Sequence, residues 1–146
     1  MSAAPPTYVG FWARVGATLI DTLWVTLLVS PLLALVYGAR YFTLEHALRG
    51  GSDARELLIS YGLPALAVIA FWRGRQATPG KMLIHAKIVD AETLGPPTTG
   101  RLVIRYLGYF VSTLPLCLGL LWVAFDARKQ GWHDKLAGTV VIRTRR

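Results

Sequence analysis

Apolar residues along this chain are gathered into long blocks, not dispersed at the period of a surface helix or a half-buried strand. Val15 to Tyr37 is a 23-residue stretch with one charge, Asp21. Leu57 to Trp72 is 16 residues with none, and Leu102 to Phe125 is 24 residues with only Arg105. About 20 apolar residues cross a bilayer core about 30 Å thick, so the first and third blocks are long enough. The second needs part of 54–56 or slight bilayer thinning. The blocks predict helices over about 12–37, 55–72 and 102–125, with Pro31 and Pro64 as predicted kinks in the first two. Tyr8, Phe11 and Trp12 read as an interfacial aromatic anchor. After the second block Thr78-Pro79-Gly80 breaks the chain, Ile84–Val89 reads as a short strand, and Gly95–Gly100 as a turn. The expected fold is therefore an all-α membrane protein. It has three or four transmembrane or re-entrant helices in a single domain over 1–146, with a small cytoplasmic β-hairpin between the second and third blocks.

Composition sharpens this reading. Of 146 residues, 53% are hydrophobic and only 16% charged, where soluble domains carry about 25% charged residues. A soluble enzyme and a secreted domain are both excluded. The first block also fails as a cleaved signal peptide, being too long, holding an aspartate and lacking a small-x-small site. The single Cys117 excludes a disulfide framework and a thiolate metal cluster, and is expected as a lipid- or protein-buried thiol. His46, His85 and His133 fall in different predicted segments, so neither a metal site nor a cofactor is assigned.

The net charge of +8 is unevenly placed. Arg73, Arg75, Lys81, Lys87 and Arg101 lie in the loop 73–101, and six more basic residues in the tail 126–146, whereas 38–56 is balanced. Short basic connections stay in the cytoplasm, so loop and tail are expected inside. The positives flank membrane segments without aromatic interleaving, which argues against nucleic acid. Anionic lipid headgroups, worth about 1 kcal/mol per basic residue, are the expected partners. Lys81 and Arg75 could take a lipid phosphate, but solvated or snorkelling charges are the simpler expectation. Parity is the difficulty, because three single crossings put the basic tail outside. Either Leu102–Phe125 dips in and returns, broken near Thr113-Leu114-Pro115 with Arg105 at the interface, or it crosses once and the tail is external.

Asp21 is the most informative residue. Counted from Trp12 it lies about 13 Å along the helix, where a charge costs on the order of 3 kcal/mol. It must be paired, protonated or hydrated. Arg14 lies two turns earlier on nearly the same face, and Thr18, Thr22, Thr26 and Ser30 continue a polar strip that should face protein or a hydrated cavity. Asp21 is either a titratable carrier on an ion path or the closure of a buried polar network. The other polar cluster runs from Asp126 to Thr139. His133-Asp134 invites acid–base chemistry, but no nucleophile stands at a defined spacing, so no enzyme activity is expected. A juxtamembrane clamp between Asp134 and an arginine is the plainer reading.

The stretches Gly10-Phe-Trp-Ala-Arg14-Val-Gly-Ala-Thr-Leu-Ile-Asp21, Thr78-Pro-Gly-Lys81 and Gln130-Gly-Trp-His133-Asp134-Lys-Leu-Ala-Gly-Thr139 occur here in order. In these the chain resembles the RDD family of small bacterial membrane proteins, named for one arginine and two aspartates. The resemblance places those residues at Arg14, Asp21 and Asp134, with Thr18, Lys81, Arg105 and His133 as secondary candidates. It implies a multi-pass protein of the bacterial inner membrane and, for some members, proposed cation/proton exchange or small-solute transport. An accessory or scaffold role is the alternative. Three or four short segments can hardly enclose a pathway alone, so self-association or a membrane partner is expected. An Arg14–Asp134 pair is expected, and reversing both charges should restore what either single reversal loses.

Overall fold

The first apolar block forms one unbroken helix, α1 (Phe11–Tyr37), and Pro31 lies inside it without ending it. Its 27 residues rise about 40 Å, enough for a bilayer core. A 3₁₀ turn (Ala39–Phe42) and the short α2 (Leu44–Arg49) lead to the second apolar segment. That segment starts at α3 (Ala54–Leu57), whose first turn is capped by the Asp53 carboxylate accepting from Glu56 N–H at 2.8 Å. A π-turn over Leu58–Gly62 carries the helical backbone on into α4 (Leu63–Arg75), and Pro64, which has no N–H for the preceding turn, stands just after it. Gln76 takes left-handed backbone at the end of α4, and the chain enters α5 (Pro79–Leu83). Among the described residues, two helices are long and apolar enough to cross a membrane, Phe11–Tyr37 and Ala54–Leu83. The computed structural model describes residues 5–50 and 52–144. Arg145 and Arg146 of the basic tail lie outside the described residues.

The third block is bent. It consists of α6 (Thr99–Thr113) and α7 (Leu118–Leu121) with a 3₁₀ turn (Trp122–Ala124), the two arms meeting at 112°. Leu116 and Cys117 take left-handed backbone at the corner, directly after Pro115. The break expected near Thr113–Pro115 is therefore present. Cys117 stands exposed at this corner.

The predicted hairpin is corrected. Strand β1 (Ala86–Asp90) does not fold back through the Pro96-Pro97 turn. It pairs antiparallel with β2 (Thr139–Arg143), which follows α8 (Trp132–Ala137) in the tail, with Ile88 opposite Val141. The N-terminal stretch joins the same sheet: Val9 N–H donates to Val141 O at 3.0 Å, and Arg143 N–H to Thr7 O at 2.8 Å. Turn residues are visible in a sequence, but the partner of a strand is a tertiary choice. Here it is made by apolar packing, since Val9, Trp72, Ala86, Ile88, Leu102 and Val141 form one buried cluster under the sheet. Thr7–Val9, β1 and β2 thus close into one cap.

Opposed residues in an antiparallel pair lie about 4.5–5.5 Å apart, within disulfide reach. With Cys117→Ser as background, K87C and I142C, which face each other, should cross-link under mild oxidation. K87C paired with a cysteine at Pro96 or Pro97 should not.

Candidate functional site

The centre of the cap is a single carboxylate. Asp134 lies in the first turn of α8, where one of its oxygens accepts from Gly131 N–H at 3.0 Å. Arg14 donates to that oxygen at 2.6 Å, while Arg105 donates to the other; both guanidinium groups thus share one fully buried carboxylate. Arg14 also donates to Val9 O at 3.1 Å and Lys129 O at 2.6 Å. These three hydrogen bonds tie α1 to the N-terminal stretch, the tail and α8. Arg105 adds the Thr139 hydroxyl at 2.7 Å and packs against the rings of Trp72 and Tyr109, 5.4 and 5.8 Å from their centroids. It is wholly buried within the protein.

His133 stacks on Tyr109 with centroids 4.1 Å apart. Its Nδ1 faces the Ser112 hydroxyl at 3.4 Å and its Nε2 faces Asp134 at 3.4 Å, which fits a neutral ring protonated on Nε2. Burial pushes the imidazole down to about 3, against the pull of the Asp134 carboxylate. Burial alone would raise the Asp134 carboxyl, but Arg105 and Arg14 outweigh it and hold it well below the usual carboxylate range. Ser112, His133 and Asp134 stand in the order of a hydrolase triad. Yet Ser112 is fully buried and its oxygen accepts from His133 N–H at 3.1 Å, so the array presents no exposed nucleophile.

Asp21 belongs to a separate cluster, made where the turn after α4 meets α1. It accepts from the Thr78 hydroxyl at 2.5 Å, Gly80 N–H at 2.7 Å and the Trp24 indole N–H at 3.1 Å. Lys81 Nζ lies 3.7 Å away, buried, where a solvated or snorkelling charge was expected. The close approach depends on Gly80, because a Cβ there would fall 2.0 Å from Ala17 O. Thr18 does not bond to Asp21. Thr22 and Thr26 donate to the carbonyls of Thr18 and Thr22 at 2.9 and 2.8 Å, and all three stand on the exposed face. Of the strip expected against protein or a cavity, Thr18 lines a cleft, whereas Thr22 and Thr26 stand exposed among the described residues.

Of the sequence candidates, Arg14, Arg105, His133 and Asp134 come together, and Asp21 and Lys81 form the second cluster. Thr18, Lys81 and Tyr109 line the two clefts between the clusters. Tyr109, Trp72, Ser112, Thr78 and Gly80 were missed as site residues. Thr78 and Gly80 did carry a signal, in the Thr-Pro-Gly-Lys motif itself. Tyr109 sits one turn after Arg105, a spacing that points a ring at the same neighbours.

These features define a small membrane protein whose apolar helices are locked to a two-stranded cap by buried arginine–aspartate contacts. The chain belongs to the RDD family, whose model matches residues 8–138. It is 43% identical over 76 residues to the uncharacterized protein RP437 of Rickettsia prowazekii, covering 52% of this chain and 42% of that protein. It is 30% identical over 143 residues to the uncharacterized membrane protein YteJ of Bacillus subtilis, covering 92% of this chain and 80% of that one. The proline-rich antigen of Mycobacterium leprae matches 63 residues at 32% identity, covering 43% of this chain and 25% of the antigen. The chain thus spans less than half the length of the Rickettsia and Mycobacterium relatives. No solved structure matches it.

Asp134→Ala leaves two buried guanidinium groups without their anion, a loss of about 3–5 kcal/mol by thermal or denaturant unfolding in detergent. The double reversal of Arg14 and Asp134 should not rescue it, because an arginine at 134 meets Arg105; this replaces the rescue expected from the pair alone. The His133 ring is depressed in the folded protein, so the unfolded chain binds more protons between pH 6.5 and about 3. Stability should therefore fall as pH drops through that window, by up to about 1.4 kcal/mol per unit from this group. His133→Gln, measured by Tm against pH, should flatten the slope.

Proposed function

We propose that this protein is an accessory or scaffold of the bacterial inner membrane, holding a rigid cytoplasmic cap on two crossing helices. The supporting observation is the occupancy of Asp21. Its oxygens face a hydroxyl, a backbone N–H, an indole N–H and an ammonium, all of them donors. A metal cation needs lone pairs: among these neighbours only the Thr78 hydroxyl oxygen has any to offer, and the two N–H donors and the ammonium would have to leave before one could bind. In this reading Asp21 fastens the Thr78–Lys81 turn to α1, and the Arg14–Asp134–Arg105 contact fastens the tail. The sheet supports an even number of crossings, since Thr7–Val9, β1 and β2 share one cap. Two helices then cross, the bent pair dips in and returns, and the basic loop and tail both face the cytoplasm. The exposed leucines of α1, among them Leu19, Leu23 and Leu27, are covered by lipid, a second copy or a membrane partner.

Transport of a cation or small solute is the second reading. It is favoured by the two clefts that meet at Thr18, Lys81 and Tyr109. Proteoliposome flux separates the two. In the scaffold reading, wild type drives no cation-dependent pH change, and Asp21→Asn lowers Tm and folded yield because its amide N–H₂ faces donors. A pH change in wild type that disappears in a folded, fully incorporated Asp21→Asn would establish transport instead.

A further inference from the structure

The cleft between α1 and the bent pair has a volume of about 260 Å³, and Val15, Leu19, Leu120, Leu121 and Val123 give it an apolar wall. Its polar end carries Arg14, Lys81, Tyr109 and His133. A smaller cleft of about 220 Å³ lies on the other side of Lys81 and Tyr109, beside Asp21 and Trp72.

Donors exceed acceptors around this junction. Lys81 has three N–H donors, yet its contacts are the Thr78 oxygen at 3.4 Å and Asp21 at 3.7 Å, with only 8% of its side chain exposed. Trp72 Nε1 is buried without a hydrogen-bond partner among the described residues. The Tyr109 hydroxyl meets Arg105 at 3.5 Å, which uses its oxygen and leaves its O–H to give. Charge tells the same story. Arg14, Lys81 and Arg105 face two carboxylates, Asp21 and Asp134, and His133 is neutral, so one positive charge is left over in a poorly hydrated place. A buried charge of that kind calls for a counter-charge. The missing group must bring a negatively charged acceptor, and the wall requires that it also bring hydrocarbon.

We propose that this cleft binds an anionic membrane lipid, with an acyl chain along the Val15–Leu121 wall and a headgroup oxygen against Lys81 and Tyr109. The volume falls just below the roughly 300–1,000 Å³ typical of sites that enclose a whole small molecule. It therefore takes one chain segment and leaves the rest of the lipid in the bilayer. The inference stands apart from the scaffold reading, since either a scaffold or a transporter can carry a bound lipid.

Cys117, the sole cysteine of the chain, is exposed and lines this cleft, which makes it a built-in reporter. The full chain in detergent micelles is alkylated with N-ethylmaleimide in the presence of phosphatidylglycerol, phosphatidylcholine or glycerol phosphate, and Tm is read in parallel. Phosphatidylglycerol should slow alkylation several-fold and raise Tm, while the other two do neither. Lys81→Gln should erase the difference between the two lipids. Leu19→Trp should erase it too, by filling the mouth from a position that is 68% exposed and costs the core nothing. Equal protection by phosphatidylcholine, equal protection by glycerol phosphate, or protection that survives Leu19→Trp would overturn the proposal. So would an equal loss in the surface pair Arg73→Gln/Arg75→Gln, since diffuse attraction to basic residues would then account for it.

Discussion

Two guanidinium groups from different helices meet on one buried carboxylate, and the arrangement of the cap follows from that meeting. Removing an ion from water costs several kcal/mol, recovered only where partners are close and the remaining lone pairs are used. Asp134 satisfies this with Arg14, Arg105 and its own helix N-terminus. Apolar packing alone allows helices to slide and rotate with small changes in energy. A shared carboxylate does not, because displacing one element by a turn leaves a buried charge unpaired. Arg14 extends the constraint through two backbone carbonyls in segments that precede α1 and precede α8. The contact thus specifies which surfaces meet more than it adds to stability.

Glycine makes the required approach possible on each side. Gly80 lets the turn after α4 sit against the backbone of α1, and Gly108 lets α6 lie against α8, where a Cβ would come within 2.9 Å of His133 Cα. Gly119 does the same for the returning arm of the bent pair, at 2.6 Å from Ser112 Cα. Backbones at this distance bring short polar side chains and peptide groups within bonding range, which explains how Asp21 is met by Gly80 N–H. Small residues at helix contacts serve this purpose wherever lipid offers no hydrophobic drive to association.

Much of this architecture was legible in the chain. Block lengths located the spanning helices, and the Pro115 region located the bend, because each depends on local composition. Arg14 and Asp134 were legible as a pair through charge and motif. The strand pairing was not, since Pro96-Pro97 marks a turn without saying whether the strand before it continues across that turn. Nor was the burial of Arg105 and Lys81. A positive charge at the end of an apolar block reads as interfacial until the surface that covers it is known. For Arg105 that surface comes from α8 and β2, and for Lys81 from the packing of α5 on α1.

Arg14 and Asp134 are 120 residues apart. During synthesis the arginine enters the membrane environment long before its carboxylate has been made, and β1 likewise waits for β2. Until then the early helices are held by hydropathy and by the contacts of Asp21 with Thr78, Gly80 and Lys81, all of them made well before the tail. Only when the tail emerges does the structure gain the contact that distinguishes the finished fold from a loose pair of inserted helices. A chain halted before Asp134 presents an unpaired arginine, an unsatisfied strand edge and the apolar residues beneath it. Those are features by which cellular proteases and chaperones can tell an incomplete copy from a complete one.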